Sequence, residues 1–412
     1  MNHPPTERPG VHHHPLRMSG RDPLEHHRVA TPLELLFDLT FATSFGLAAA
    51  RFAHETAAGH VGGGLFGFAF AALVICWAWV NFSWFSSAYD TDDWVFRVAT
   101  MVQMAGVLIL AIGLPPMFDS IEHGLHLNVD LMVYGYVVMR AAMVFQWLRA
   151  ARQDPIHRRA CLTYALTIFI AQLGWVGMIF VEKTPLEGAA IVIVLWLIEF
   201  AAPAMAERKD GGTPWHAHHM AERYSLFILI ALGEGVVGTV AAISAVIQSH
   251  GWTQDAVLLC VAGMGLTFGI WWLYYLIPSA PALHAKRSRA FTWGYVQIIM
   301  VAAIVAMGAG MHIAAYYIEG KAAIGDLAVV LYLAVPVAVF IGLAYMLHFY
   351  LTRRFALYRA FLLLATLATL VVATFAASQG FDVATCLVIV ALAPAISVIG
   401  YEVYGYRHQT LR

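Results

Sequence analysis

The chain has 412 residues, of which 60% are hydrophobic and only 12% charged, with a formal net charge of −1. A soluble domain carries about 25% charged residues, so that class is excluded, and the balanced charge supplies no basic field for nucleic acid. No serine–histidine pair, metal-ligand spacing or phosphate loop stands out, so neither enzymatic chemistry nor a bound cofactor is expected.

Residues 1–32 are polar and hold six of the 19 histidines, including His12, His13 and His14. No spacing there matches a closed zinc site, and no apolar core marks a cleavable signal. A solvated cytoplasmic tail is expected. Beyond it, apolar runs recur at the length a bilayer requires, giving an all-α polytopic membrane protein of twelve helices. The expected spans are 33–54, 64–86, 95–116, 128–150, 160–181, 188–206, 222–247, 253–277, 289–317, 326–350, 354–377 and 381–404. They divide into a first half at 33–206, a linker at 207–221, a second half at 222–406 and a tail at 407–412. With the N-terminus inside, the cytoplasmic segments hold 20 of the 24 basic residues, among them Arg149, Arg152, Arg158, Arg159, Lys286, Arg353 and Arg354. The other side holds Arg51, Lys183 and Lys321. That asymmetry predicts a bacterial inner-membrane protein with both termini cytoplasmic.

The first span opens Thr31-Pro32-Leu-Glu34-Leu-Leu-Phe37-Asp38. Thr31 suits an N-cap, Pro32 the first helical position, and Glu34 the third-residue acid of a capping box. Asp38 lies one turn deeper on the same face, beside a stripe of Phe37, Phe41 and Phe45. Two acids on one inward face also suit proton or cation binding. Gln103 follows in the third span. Arg140 stands near the middle of the fourth and needs a counter-ion, for which Glu199, Glu234 and Asp38 are candidates. Glu222 and Arg223 open the seventh span, and Glu234 lies eleven residues beyond Arg223, close to three turns along the same face. A carboxylate at that depth costs about 2.5–3.5 kcal/mol on insertion scales, so it normally faces a bundle interior or a water-filled path. Whichever buried acid lacks the arginine is the better proton carrier.

Ala231, Gly235 and Thr239, at four-residue spacing, and Gly265 with Gly269 in the next span, allow close helix approach. Gln297 follows in the ninth span, while His312 and His348 lie in spans and read as structural. Pro203 and Pro336 are the expected internal prolines. Cys76, Cys161, Cys260 and Cys386 all fall in apolar spans as small hydrophobes. A shift of 194 residues superposes six spans on six and pairs Trp77 with Trp271, Gln103 with Gln297, Arg159 with Arg353 and Tyr164 with Tyr358. Duplication into two same-orientation halves is therefore expected, with Gln103 and Gln297 at matching depth.

Two segments together, Thr31-Pro-Leu-Glu34-Leu-Leu-Phe37-Asp38-Leu-Thr-Phe41 and Glu222-Arg223-Tyr-Ser-Leu-Phe227-Ile-Leu-Ile-Ala-Leu-Gly233-Glu234, resemble the bacterial low temperature requirement protein A (LtrA) family. Glu34, Asp38, Glu222, Arg223 and Glu234 match that family's pattern, whereas Gly235 stands where the family would place serine. The resemblance implies a membrane location and marks these positions without supplying a substrate. Phe37-Asp38 in a six-plus-six arrangement is also similar to the lysosomal potassium channel family, over two residues only. The leading expectation is a secondary transporter coupled to protons or cations. A cation channel and a structural or sensory protein of cold stress are the alternatives. Expected partners are membrane lipid and a small solute or ion, with a homo-oligomer left open.

Overall fold

The computed structural model describes residues 16–25, 28–124, 127–180, 185–208, 211–353 and 356–405, and among these it is helical with no strand. His3, His12, His13, His14, His26, His27, Lys183, Arg354 and the 407–412 tail lie outside the described residues. The helices are α1 (Pro32–Ala57), α2 (Val61–Tyr89), α3 (Trp94–Ile112), α4 (Leu114–His123), α5 (Asp130–Gln153), α6 (Arg158–Ile179) and α7 (Pro185–Ala206). They continue as α8 (Ala217–His250), α9 (Gln254–Tyr275), α10 (Ser279–Ala285), α11 (Ala290–Ile318), α12 (Asp326–Thr352), α13 (Leu357–Ser378) and α14 (Val383–Gly400). Among the described residues, eleven helical stretches are long and apolar enough to cross a membrane, and the remaining expected span falls on a shorter apolar stretch, Ala190–Ala206. The chain is a multi-span membrane protein.

Helix ends follow their local chemistry. Thr31 and Glu34 form the capping box: the Thr31 amide donates to Glu34 Oε2 at 2.8 Å, and the Glu34 amide donates to Thr31 Oγ1 at 3.3 Å. Asp93 and Asp382 accept from the third amide of α3 and α14, at 2.8 and 3.0 Å, satisfying donors a helix start leaves unpaired. The third expected span does not end at 116. It breaks at Gly113 and resumes as α4, whose Pro115 and Pro116 have no amide to donate to the preceding turn. Gly113 itself packs so closely that a Cβ would lie 2.6 Å from the Met132 amide nitrogen of α5.

By contacts the chain forms two compact units, residues 1–40, 81–113 and 129–216, and residues 41–80, 114–128 and 217–412. These divide α1 and α2 between them and do not coincide with the two sequence halves. In the first unit, α3 and α5 meet backbone to backbone at Gly106 and Gly135, where a Cβ on Gly135 would lie 2.4 Å from the Leu110 amide nitrogen. Trp147 stacks on Tyr164 at 4.3 Å and meets Phe85 edge-on at 4.7 Å. The described part of the N-terminal tail is exposed at Arg17, Ser19, Asp22 and Leu24, but it is tied to the helices at two points. Met18 is fully buried, its amide donates to Gln153 Oε1 at 2.6 Å, and Arg28 Nη2 donates to Ser86 O at 2.7 Å. Arg149, expected in a cytoplasmic segment, is a buried residue of α5 that pairs with Asp93, its Nη1 lying 3.0 Å from Oδ1. Burial opposes the Asp93 charge, yet Arg149 and the amides of Phe96 and Leu16 hold its carboxyl below the ordinary carboxylate range.

In the second unit the small-residue faces mate as close approach requires. Gly238 of α8 meets Gly308 of α11, Gly235 meets Thr267 of α9, and Gly263 of α9 accommodates Thr239. Gly265 and Gly269 face α14 instead, against Ala391 and Pro394. Pro394 lies inside α14, an internal proline beyond the two expected. Cys76, Cys161 and Cys386 are buried thiols, but Cys260 is exposed on α9.

Candidate functional site

Apart from Glu222, the sequence-predicted site residues are buried, and they separate into groups of different chemistry. In the first unit, Arg140 finds its counter-ion in Glu199 of α7, Nη2 to Oε2 at 2.8 Å, with both side chains at most 4% exposed. Tyr136, one turn earlier on α5, donates to the same Oε2 at 2.5 Å and accepts from Arg140, whose guanidinium lies 4.6 Å from the Tyr136 ring centre. Trp175 of α6 donates to Glu199 Oε1 at 2.9 Å. Each carboxylate oxygen thus meets a donor, and three helices converge on one ion pair. Such an arrangement suits cohesion, because moving either member leaves a buried charge uncompensated.

Glu34 and Asp38 are fully buried on one face of α1, as their spacing predicts. Glu34 performs the capping described above. Phe37 packs on Phe82, ring centres 3.8 Å apart. Asp90, just past the end of α2, is buried within the field of Glu34. Burial and that like charge push its carboxyl up to about 7, against the pull of Arg28 and Arg21. Gln103 donates to Gln146 of α5 at 2.8 Å, an interhelical bond.

In the second unit, Glu234 stands at the middle of the 34-residue α8 and is 7% exposed. Two glycines pack against it, Gly308 on its backbone and Gly46 on its carboxylate. A Cβ on Gly308 of α11 would lie 2.6 Å from the Glu234 carbonyl carbon, and one on Gly46 of α1 would lie 3.4 Å from Glu234 Oε1. Among the described residues no donor is placed within hydrogen-bond distance of its carboxylate. Arg223 shares its face but lies roughly 16 Å away along the axis, too far for a direct ion pair. The Arg223 guanidinium is fully buried, 5.6 Å from the ring of Trp79, which stacks on Phe227 at 4.0 Å. Phe41 and Phe45 also close on Phe227, at 6.2 and 5.3 Å. Glu222 is half-buried at the start of the same helix. Gln297 donates to Tyr274 at 3.2 Å.

Sequence reading missed Glu207. It accepts from Trp84, Tyr164 and Thr213 at 3.0, 3.0 and 2.6 Å, so the beginning of the expected linker is anchored in the first unit. His216, also in that segment, is buried and reaches Glu25 O at 2.9 Å. The signal available was an acid directly after an apolar run, which reads equally well as a solvated helix end.

A family model described as Bacterial low temperature requirement A protein (LtrA) matches residues 29–394. An uncharacterized protein of Rhizobium meliloti (strain 1021) is 22% identical over 266 residues, covering 60% of this chain and 61% of that protein. The chain thus spans about three fifths of the curated relative it matches. No solved structure matches.

Proposed function

We propose, from the premise that this chain belongs to the bacterial low temperature requirement A (LtrA) family, that it is a secondary transporter using Glu234 as its coupling carboxylate. One observation carries this reading: Glu234 is buried at mid-helix without a described donor, with Gly46 of α1 leaving room beside its carboxylate oxygens. An intramembrane acid so placed binds a proton or cation whose departure must be matched by another charge or a conformational change. Asp38, the other deep acid, serves as a second charged site on α1. The Arg140–Glu199 pair holds helices together and carries no solute.

The supporting architecture is a chain with little mass outside its helices. Equivalent helices of the two sequence halves begin at Trp94 and Ala290, and again at Asp130 and Asp326, close to the 194-residue shift. That regularity supports twelve spans in two same-orientation halves. The asymmetry of basic residues supports a cytoplasmic-membrane location with both termini inside. Exposed side chains such as Leu39, Val98, Leu173 and Phe361 supply an apolar surface for lipid. A structural role is the second reading, favoured by the Glu34 capping box and by the donor-saturated Glu199.

Reconstitution of the full chain in proteoliposomes, with an imposed pH gradient and a panel of cations and small metabolites, tests the proposal. Solute-dependent proton movement is the expected result. Uncoupled current at channel rates, or no flux with any solute, would overturn it.

A further inference from the structure

Away from the buried acids, Glu55, His60 and Glu122 converge, each offering a ligand atom, with all three atoms within 4.8 Å of one another. Glu55 is on the last turn of α1, His60 directly precedes α2, and Glu122 is on the last turn of α4. The backbone sets this arrangement in advance. Gly59 turns the chain at φ +90°, and the His60 amide donates to Glu55 O at 2.9 Å, which brings the imidazole back over the Glu55 carboxylate. One turn inward from the acids, Arg51 pairs with Asp119 at 2.9 Å and ties α1 to α4.

His60 Nδ1 lies 3.3 Å from Glu55 Oε2 and 3.3 Å from Glu122 Oε1. Two ligands on a tetrahedral ion with bonds of 2.0–2.1 Å stand roughly 3.3–3.4 Å apart, so both separations match ligand edges around one ion. An independent observation points the same way. The Glu55 side chain is only 3% exposed, and its Oε1 is buried with no hydrogen-bond partner. A carboxylate withdrawn from water without a full donor set is costly unless a cation compensates it. His60 and Glu122, by contrast, are 47% and 35% exposed, leaving an approach for the ion and for water to complete its coordination.

We infer that Glu55, His60 and Glu122 form a divalent transition-metal site with one imidazole and two carboxylates, open to water on one side. The mixed nitrogen and oxygen donors suit Zn²⁺ or Mn²⁺. Under the proposed orientation the site faces away from the cytoplasm, and it is independent of the role given to Glu234.

The test uses the full chain in detergent, purified without a histidine tag, stripped with chelator and titrated with Zn²⁺ alone at pH 7.5. The tail histidines offer adventitious zinc ligands, so His60→Ala/Glu122→Gln is compared with the wild type and with His12→Ala/His13→Ala/His14→Ala. Both pocket substitutions are at solvent-accessible side chains, and equal melting temperatures in chelator establish that the fold is kept. The wild type and the tail variant should each keep one Zn²⁺ equivalent that the pocket variant loses or binds at least tenfold more weakly. Zn²⁺ should also raise their melting temperatures but not that of the pocket variant. Equal stoichiometry and equal thermal shifts in the wild type and the pocket variant would overturn the site, as would zinc binding lost only with the tail histidines.

Discussion

Glu199 and Glu234 are both buried carboxylates in apolar helices, at 4% and 7% exposure, and their surroundings differ in kind. Around Glu199 sit an arginine, a phenol and an indole, all aimed at its two oxygens. Around Glu234 sit glycines on two helices and no described donor. The first carboxylate is fixed by neighbours large enough to meet it. Removal of neighbouring side chains gives the second its space. Burial alone therefore does not distinguish the two acids; their neighbours do.

Breaking the saturated side of the comparison should have the largest effect. Arg140→Ala leaves Glu199 buried without its cation, a loss of about 3–5 kcal/mol, read as a large fall in melting temperature in detergent. Replacing both Arg140 and Glu199 with apolar residues should recover much of it. Gly308→Ala comes next. Its Cβ would sit 2.6 Å from backbone of α8, and the forced separation should destabilise the α8–α11 crossing by about 1–3 kcal/mol.

Asp90 sharpens the contrast from a third direction, as an acid crowded by burial and by Glu34. Its carboxyl lies near 3.8 unfolded and about 7 folded. The folded protein therefore keeps a proton that the unfolded chain gives up, and the associated stability is full below about pH 4 and lost as pH rises through about 7. Asp90→Asn should flatten the melting temperature across that window and raise it at pH 8. Wild-type behaviour in the variant would remove Asp90 from the account. Smallest of all is Gly46→Ala, whose Cβ would lie 3.4 Å from Glu234 Oε1. Melting should barely move while transport falls, because only the space beside the carboxylate is altered.

The parts that were legible in the sequence are those governed by local rules. Apolar length located the membrane helices, and Thr31-Pro32 with Glu34 announced the capping box in the structure. Four-residue spacing of small residues marked the close contacts of α8. What was not legible depends on pairing across distant helices. Nothing in the chain says that Arg140 meets Glu199 rather than another acid, since every candidate is a carboxylate within an apolar helix. Gly265 and Gly269 were readable as small but not as facing α14. Arg149 looked like a membrane-edge charge because its partner, Asp93, lies 56 residues away. The polar composition of residues 16–25 gave no sign that the Arg17 side chain and the Met18 amide bond Gln153 at the end of α5.

The central claim rests on Glu234 as a titratable group with no structural duty. Glu234→Gln keeps its shape and removes its charge, so pH-driven flux in proteoliposomes, measured beside the melting temperature, separates the two roles. The account predicts a stability change within about 1 kcal/mol and loss of pH-dependent flux. A variant that melts far below the wild type, or one that transports with the pH dependence intact, would contradict it.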